Sequence, residues 1–196
     1  MGHRGQTRGA VPRVAIFGCG RIGSALDEAL DERVVLSHAG AVAAHAGFDL
    51  VALCDPDPKR LAEAGDARGV SARFAAPTQL LDEVQVDVAV LCGPTHTRLT
   101  TVQACLQAGV SALVLEKPLA PNLSEAEEIA RLVSAHEVVS SVNFLRRFCP
   151  PLQSIAAALQ AGELGEVQVI TAHYGKGLNN NGSHVIDLLR WWIGEV

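Results

Sequence analysis

The apolar run Val14-Ala15-Ile16-Phe17 leads directly into Gly18-Cys19-Gly20-Arg21-Ile22-Gly23, and residues of helical composition continue from there towards Leu30. No other part of the chain constrains the fold as much, because in a strand–turn–helix setting each glycine has a mechanical duty. Gly18 permits the tight turn, Gly20 lets backbone approach a pyrophosphate, and Gly23 allows close helix packing. The helix start adds N–H groups without intrahelical partners and the positive end of the helix dipole, both of which attract an anion. The segment Gly18, Cys19, Gly20, Arg21, Ile22 and Gly23 is therefore expected to hold a dinucleotide.

The rest of the chain repeats the same alternation. Residues 48–54 (FDLVALC), 86–92 (VDVAVLC), 112–116 (ALVLE) and 138–142 (VVSSV) read as strands separated by helical stretches. Near-continuous apolar strands between helices indicate a parallel sheet covered on both faces, here an α/β Rossmann-type doubly wound sheet. Thr97 to Ala108 places Leu99, Val102 and Leu106 on one stripe, and Gly109 ends it. Ser124 and Glu127 have the spacing of a capping box ahead of Ile129, Leu132 and Val133.

The rhythm changes at Cys149-Pro150-Pro151. A helix is expected from Leu152 to Gln160, a long strand from Val167 to Tyr174, and a last helix from His184 to Ile193 with Asn181 or Ser183 as N-cap. At 196 residues the chain exceeds one typical domain and falls short of two. The expected division is a flexible leader at 1–12, a nucleotide-binding domain at 13–145, and at 146–196 the incomplete start of an α+β substrate or dimerisation domain.

An acidic residue is expected at the end of the second strand, and Asp55 stands there, though the interval from Gly23 exceeds the roughly 20 residues usual for this fingerprint. Residues 31–47 hold the surplus. His38 and His45 within it could share a helix face but have no visible third ligand, so both are expected to be solvated. Asp55 could accept bonds from both ribose hydroxyls and would repel a 2′-phosphate, which favours NAD; Lys59 and Arg60 leave NADP open. The alternative for Asp55 is a simple helix cap before Pro56. Gly93-Pro94-Thr95-His96 and Glu116-Lys117-Pro118 follow later strands, at carboxyl ends where open α/β sheets bind ligands. Pro118 disfavours helical geometry at Lys117. Thr95-His96 as a helix cap, and Lys117 as a solvated loop charge, are the competing readings.

The balance of 16 Lys+Arg against 21 Asp+Glu, without a basic cluster, excludes a nucleic-acid or anionic-membrane surface. No apolar run approaches the roughly 20 residues of a membrane span, and the start lacks a signal-peptide core, so a cytoplasmic location is expected. The 5 cysteines have no C-x-x-C spacing; core packing is expected, with no metal site.

Taken with Arg146-Arg147-Phe148 and Gly182-Ser183-His184-Val185-Ile186-Asp187, these motifs make the chain resemble the Gfo/Idh/MocA oxidoreductases, the family of glucose-fructose oxidoreductase and inositol dehydrogenase. The resemblance runs from residue 13 onward; EKP at 116–118 is its most specific element and His184 the second. It implies a Rossmann domain binding NAD(P) through Gly18–Gly23, Asp55, Pro94, Thr95, His96, Glu116 and Lys117. It also implies Lys117 beside nicotinamide and substrate, and His184 in acid/base chemistry on a sugar, polyol or sugar-derived hydroxyl or carbonyl. Family members commonly carry Asp where this chain has Asn180, and an amide cannot take a proton. Asn180 therefore leaves two readings: an oxidoreductase relying on Lys117 and His184, or a non-catalytic nucleotide-binding module. A short-chain dehydrogenase ranks low, because Tyr174-Gly175-Lys176 lacks the Tyr-x-x-x-Lys spacing. A homo-oligomer is possible, through the apolar face of 167–174 with Trp191 and Trp192.

Overall fold

The computed structural model describes residues 11–27 and 35–195. The expected leader thus lies outside the described residues except at Val11 and Pro12, and Pro12 is already tied to the sheet, its carbonyl accepting the Asp49 N–H at 3.0 Å. The end of the first expected helix, near Leu30, also lies outside them.

Six parallel strands form one sheet: β1 (Arg13–Phe17), β2 (Asp49–Cys54), β3 (Arg73–Phe74), β4 (Val88–Leu91), β5 (Ala112–Leu115) and β6 (Val139–Val142), in the order β3-β2-β1-β4-β5-β6. This is the doubly wound order, in which the chain leaves β1 towards β2 on one side and later returns to β4 on the other, opening a crevice above the β1/β4 carboxyl ends. Helices α1 (His38–Ala44), α2 (Pro58–Arg68), α3 (Pro77–Glu83), α4 (Arg98–Gln107) and α5 (Leu123–Ala135) cover the faces, and α6 (Pro150–Gln160) and α7 (Ser183–Ile193) follow.

The continuous apolar character of β1 follows from its central place. Ala15 and Phe17 pack with Leu91, Val102, Cys105 and Ile129 on one face, whereas Val14 and Ile16 pack with Leu53, Ala39 and Ala64 on the other. Strand β3 was not legible in the sequence, being two residues long at the sheet edge. It is held there by the Arg73 side chain, which donates to Asp66 and to the Val70 carbonyl at 2.7 Å each. All five cysteines are free, and burial pushes the Cys19, Cys54 and Cys105 thiols up to about 12, as inert core residues.

Four local expectations are corrected. The cap of α5 is Asn122 rather than Ser124: its side chain accepts the Glu125 N–H at 2.9 Å, so the reciprocal pair is Asn122/Glu125 and Ser124 lies inside the first turn. Pro121 brings the chain to that cap two residues earlier than the Ser124/Glu127 spacing suggested. Neither Asn181 nor Ser183 caps α7, which continues out of a wide turn at Leu178–Gly182. There the Ser183 hydroxyl donates backwards to the Asn180 carbonyl at 2.8 Å. Residues 167–174 do not form a strand, since no neighbouring segment among the described residues supplies a ladder; Val169 is 81% exposed. Trp191 and Trp192, expected on that exposed face, are half-buried, with Arg147 over the Trp191 ring at 5.7 Å.

Arg147 also fixes α7. Its guanidinium forks onto Asp187 with bonds of 2.8 to 3.1 Å, a geometry only arginine offers. That contact sets the rotation of α7 so that His184 and Leu188 face inward, at 6% and 8% exposure.

Candidate functional site

The site is built on the carboxyl ends of β1, β4 and β5. Gly18 has φ +100, and a side chain there would put Cβ 2.6 Å from the Gly93 nitrogen at the end of β4. The Gly18 N–H donates to the Cys54 carbonyl at 2.7 Å, joining the turn to β2. A Cβ on Gly23 would overlap the Gly18 carbonyl oxygen. At Gly20, by contrast, nothing lies within 4 Å of such a Cβ. The first and third glycines thus hold the loop together, and the second leaves a cradle open. As at any helix start, the first N–H groups beyond Gly20 have no carbonyl a turn earlier to bond.

Asp55 is 4% exposed, and its two carboxylate oxygens accept the Cys19 N–H at 2.7 Å and the Asp57 N–H at 2.8 Å. It braces the glycine loop and its own turn at once. The expectation that it serves two ribose hydroxyls is therefore modified, since each oxygen has already committed one acceptor site. The helix-cap role falls to Asp57, which accepts from Lys59 and Arg60 at 2.9 and 3.3 Å.

A cavity of about 600 Å³ brings most of the expected residues together: Gly18, Gly20, Ile22, Asp55, Pro94, Thr95, Glu116, Lys117 and His184 line it. His96 faces instead an adjoining cavity of about 440 Å³, shared with Asp55, Pro56, Arg60 and Pro94. Cys19 and Gly23 are buried within the loop, and Arg21 points to solvent; none of the three lines either cavity. Lys117 also borders a third cavity of about 730 Å³ with Lys176, Asn179 and Asn180. Its Nζ donates to Asn180 Oδ1 at 3.0 Å, so the lysine stands between the loop side and the α7 side of the crevice.

His184 packs its ring against the edge of Phe144 at 5.9 Å, and its buried Nδ1 has no partner among the described residues. Burial pulls its pKa below the ordinary 6.5, and the positive charges of Lys117 and Arg146 add to this against Asp187 and Glu116. The ring is therefore neutral at neutral pH and has a free nitrogen able to accept a proton.

Two residues escaped the sequence reading. His38 is not solvated: it approaches Glu116 Oε1 with Nε2 at 2.8 Å, both side chains being largely buried. His45, in contrast, is exposed as expected, its ring tilted against Phe48 at 5.3 Å. Glu116 also receives Asn143 Nδ2 at 2.7 Å and the Lys117 N–H at 3.2 Å. Burial alone would raise its carboxyl, but these donors outweigh burial and hold it below the usual carboxylate range. Arg98, 3% exposed, donates to the Leu91 carbonyl and, at 3.3 Å, to that of Gly93, fixing the end of β4 beneath the cavity. The His38–Glu116 contact has no local signature because it joins segments 78 residues apart, whereas Arg98 reaches back only to the end of β4, through a turn with no residue pattern of its own. No group of three or more His, Cys, Asp or Glu side chains suited to a metal occurs among the described residues.

Residues 12–144 match the family described as an oxidoreductase family with an NAD-binding Rossmann fold, GFO_IDH_MocA. The chain belongs to this Gfo/Idh/MocA family. Among its relatives, a myo-inositol dehydrogenase of Streptomyces leeuwenhoekii is 35% identical, the match covering 93% of this chain and 56% of that protein. A D-apiose dehydrogenase of Paraburkholderia graminis is 30% identical, with 76% and 44% covered. The scyllo-inositol dehydrogenase of Lactobacillus casei, solved with NAD(H) and scyllo-inositol, shares the fold with a TM-score of 0.79 at 21% identity, over 94% of this chain and 56% of that one. The chain spans about half the length of the curated relatives it matches. The matched residues 12–144 include the glycine loop, the EKP turn and all six strands through β6. No described helix is long and apolar enough to cross a membrane.

Proposed function

We propose that the protein is an NAD-dependent oxidoreductase that moves hydride between nicotinamide and a secondary hydroxyl or carbonyl of a polyol or sugar. The observation that carries this reading is Lys117, which borders both the glycine-loop cavity with His184 and the cavity with Asn180. The open cradle at Gly20 and the unpaired helix-start N–H groups fit a dinucleotide, which Gly18, Gly20, Ile22, Asp55, Pro94, Thr95 and Glu116 would hold, with His96 and Arg60 in the adjoining cavity. When bound, the nicotinamide supplies the hydride acceptor or donor. Residues 13–145 then form the nucleotide-binding unit, and 146–196 contribute His184 and Asn180 from the substrate side.

The protein's own residues handle the proton and the charge. Neutral His184 accepts the hydroxyl proton during oxidation and returns it during reduction. The Lys117 ammonium, with one N–H on Asn180, has donors left for the substrate oxygen as negative charge develops there. Asn180 orients that ammonium without competing for the proton. The relatives that act on inositols and apiose support a polyhydroxylated substrate.

The direct test is NADH formation from NAD⁺ with myo-inositol, scyllo-inositol and apiose, alongside NADH and NADPH binding by fluorescence. Turnover of at least one substrate and tighter binding of NADH are expected. Binding without turnover of any polyol or sugar would point to a nucleotide-binding module, and absence of NADH binding would overturn the reading.

The acid limb of the oxidation profile follows from His184. As pH falls through its folded pKa, below 6.5, the ring takes up a proton and ceases to be a base, so kcat/KM declines; His184→Gln should lack that limb. Stability has the same sign: a histidine with a depressed folded pKa contributes fully above 6.5 and loses that contribution on acidification, because the unfolded chain binds the proton first. A pH profile that is flat down through the carboxylate range would remove His184 from the proton step.

A further inference from the structure

We propose that His38 is a positioning residue for Lys117, acting through the Glu116 carboxylate. The proposal rests on the reading of Lys117 as the reacting group, and it adds a residue from the segment between the glycine loop and β2. Glu116 is the hub. One oxygen takes His38 Nε2 at 2.8 Å and Asn143 Nδ2 at 2.7 Å; the other takes the backbone N–H of Lys117 at 3.2 Å. The carboxylate thereby joins the start of α1, the chain just after β6 and the Lys117 peptide.

His38 is itself held. The Ser37 hydroxyl caps α1 by accepting the Gly40 N–H at 3.0 Å, and Asp27 accepts from the Ser37 backbone at 2.8 Å. Arg68 closes the clamp onto Asp27 at 2.6 Å. The imidazole therefore reaches Glu116 from a fixed base.

The physical need is plain. A largely buried carboxylate must be supplied with donors. Without His38, Glu116 keeps only Asn143 and the Lys117 N–H, and the Lys117 ammonium, which lines the same cavity, is a cation able to take the vacant place. Drawing Nζ onto Glu116 would take it from Asn180 and from the substrate oxygen. A donor at His38 keeps Glu116 satisfied and leaves the lysine free, and displacement of such a group by about 1 Å can cost on the order of 100-fold in rate.

The test uses the full chain with NAD⁺ and myo-inositol or another substrate found to turn over. His38→Ala should lower kcat about 10- to 100-fold with KM and the NADH Kd within about 2-fold. His38→Gln, which restores an N–H at similar reach, should recover most of the loss. In the Lys117→Ala background, His38→Ala should have no further effect, because its only route is through the lysine. A readout independent of turnover is the Lys117 backbone amide by ¹H–¹⁵N NMR: its shift and slow exchange should be lost in His38→Ala and retained in His38→Gln. If the wild type proves inactive, the functional reading fails while this amide comparison still decides the coupling. Should His38→Ala not fold, His38→Leu fills the volume without a donor and serves the same comparison. An unchanged kcat or an unchanged Lys117 amide in a folded variant lacking the donor, or a His38→Gln variant no better than Ala, would overturn the proposal.

Discussion

Lys117→Ala is expected to lower kcat for polyol oxidation by about 100- to 10,000-fold while the NADH Kd stays within about 3-fold. The two halves of this expectation come from different parts of the site. The glycine loop, Asp55 and the Pro94-Thr95 turn keep their shape without the lysine side chain, since none of their bonds involves it. The chemistry, by contrast, loses the ammonium that meets the substrate oxygen. Asn180, the lysine's own hydrogen-bond partner, is an uncharged amide and cannot take over that role. Steady-state kinetics with fluorescence titration separates the two effects. Normal turnover by Lys117→Ala would take the lysine out of the mechanism, and an equally large loss of NADH affinity would make it a binding residue.

The glycine loop yields the second large effect, as a contrast among three identical substitutions. Gly18→Ala and Gly23→Ala should both destabilise the fold. At Gly18 the new methyl meets the backbone of Gly93 at φ +100, and at Gly23 it overlaps the Gly18 carbonyl, with backbone rather than a flexible side chain in the way. Overpacking of this kind costs on the order of 1–3 kcal/mol, and an unfavourable φ adds about 1–2 kcal/mol at Gly18. Gly20→Ala should leave the urea midpoint nearly unchanged, since nothing lies within 4 Å of its Cβ, yet weaken NADH binding about 10-fold or more by filling the cradle. Equilibrium urea unfolding and NADH titration of the three variants check this together. Full affinity in Gly20→Ala would mean that the anion does not sit against that backbone.

How much of this was legible in the sequence depended on whether the cause was local. The strand runs of β1, β2, β4 and β5 were readable because strands covered on both faces must be largely apolar, β6 with its exposed Ser140 and Ser141 was readable from its place in the alternation, and the glycine spacing reports a single turn. Lys117 and His184 stood out through short motifs around them, and both line one cavity. His38 and Arg98 were not readable. His38 owes its role to Glu116, 78 residues away at the end of β5, and a histidine in a segment of unusual length has no periodicity to reveal where it points. Arg98 is close in sequence to the Leu91 and Gly93 carbonyls it meets, but the fold-back of the turn after β4 has no residue pattern. Asp55 shows an intermediate case. Its place after β2 was predictable, but its bond to the Cys19 N–H depends on how closely the β1 and β2 ends approach, which the spacing does not encode. The segment 167–174 misled for the opposite reason: it has strand composition, but a strand exists only where a neighbour pairs with it.

The central claim is that the crevice bordered by Gly20, Lys117 and His184 carries hydride from a polyol carbon to nicotinamide. Its most direct test is to supply NAD⁺ with myo-inositol deuterated on its ring carbons, with apiose deuterated at its carbinol carbons in a parallel reaction, and to examine the recovered cofactor by mass spectrometry and NMR. Deuterium at nicotinamide C4, transferred by the wild type and not by Lys117→Ala, is the predicted result. Bound NADH with no deuterium transfer from any such substrate, or deuterium lost to solvent instead of appearing on the cofactor, would contradict the account.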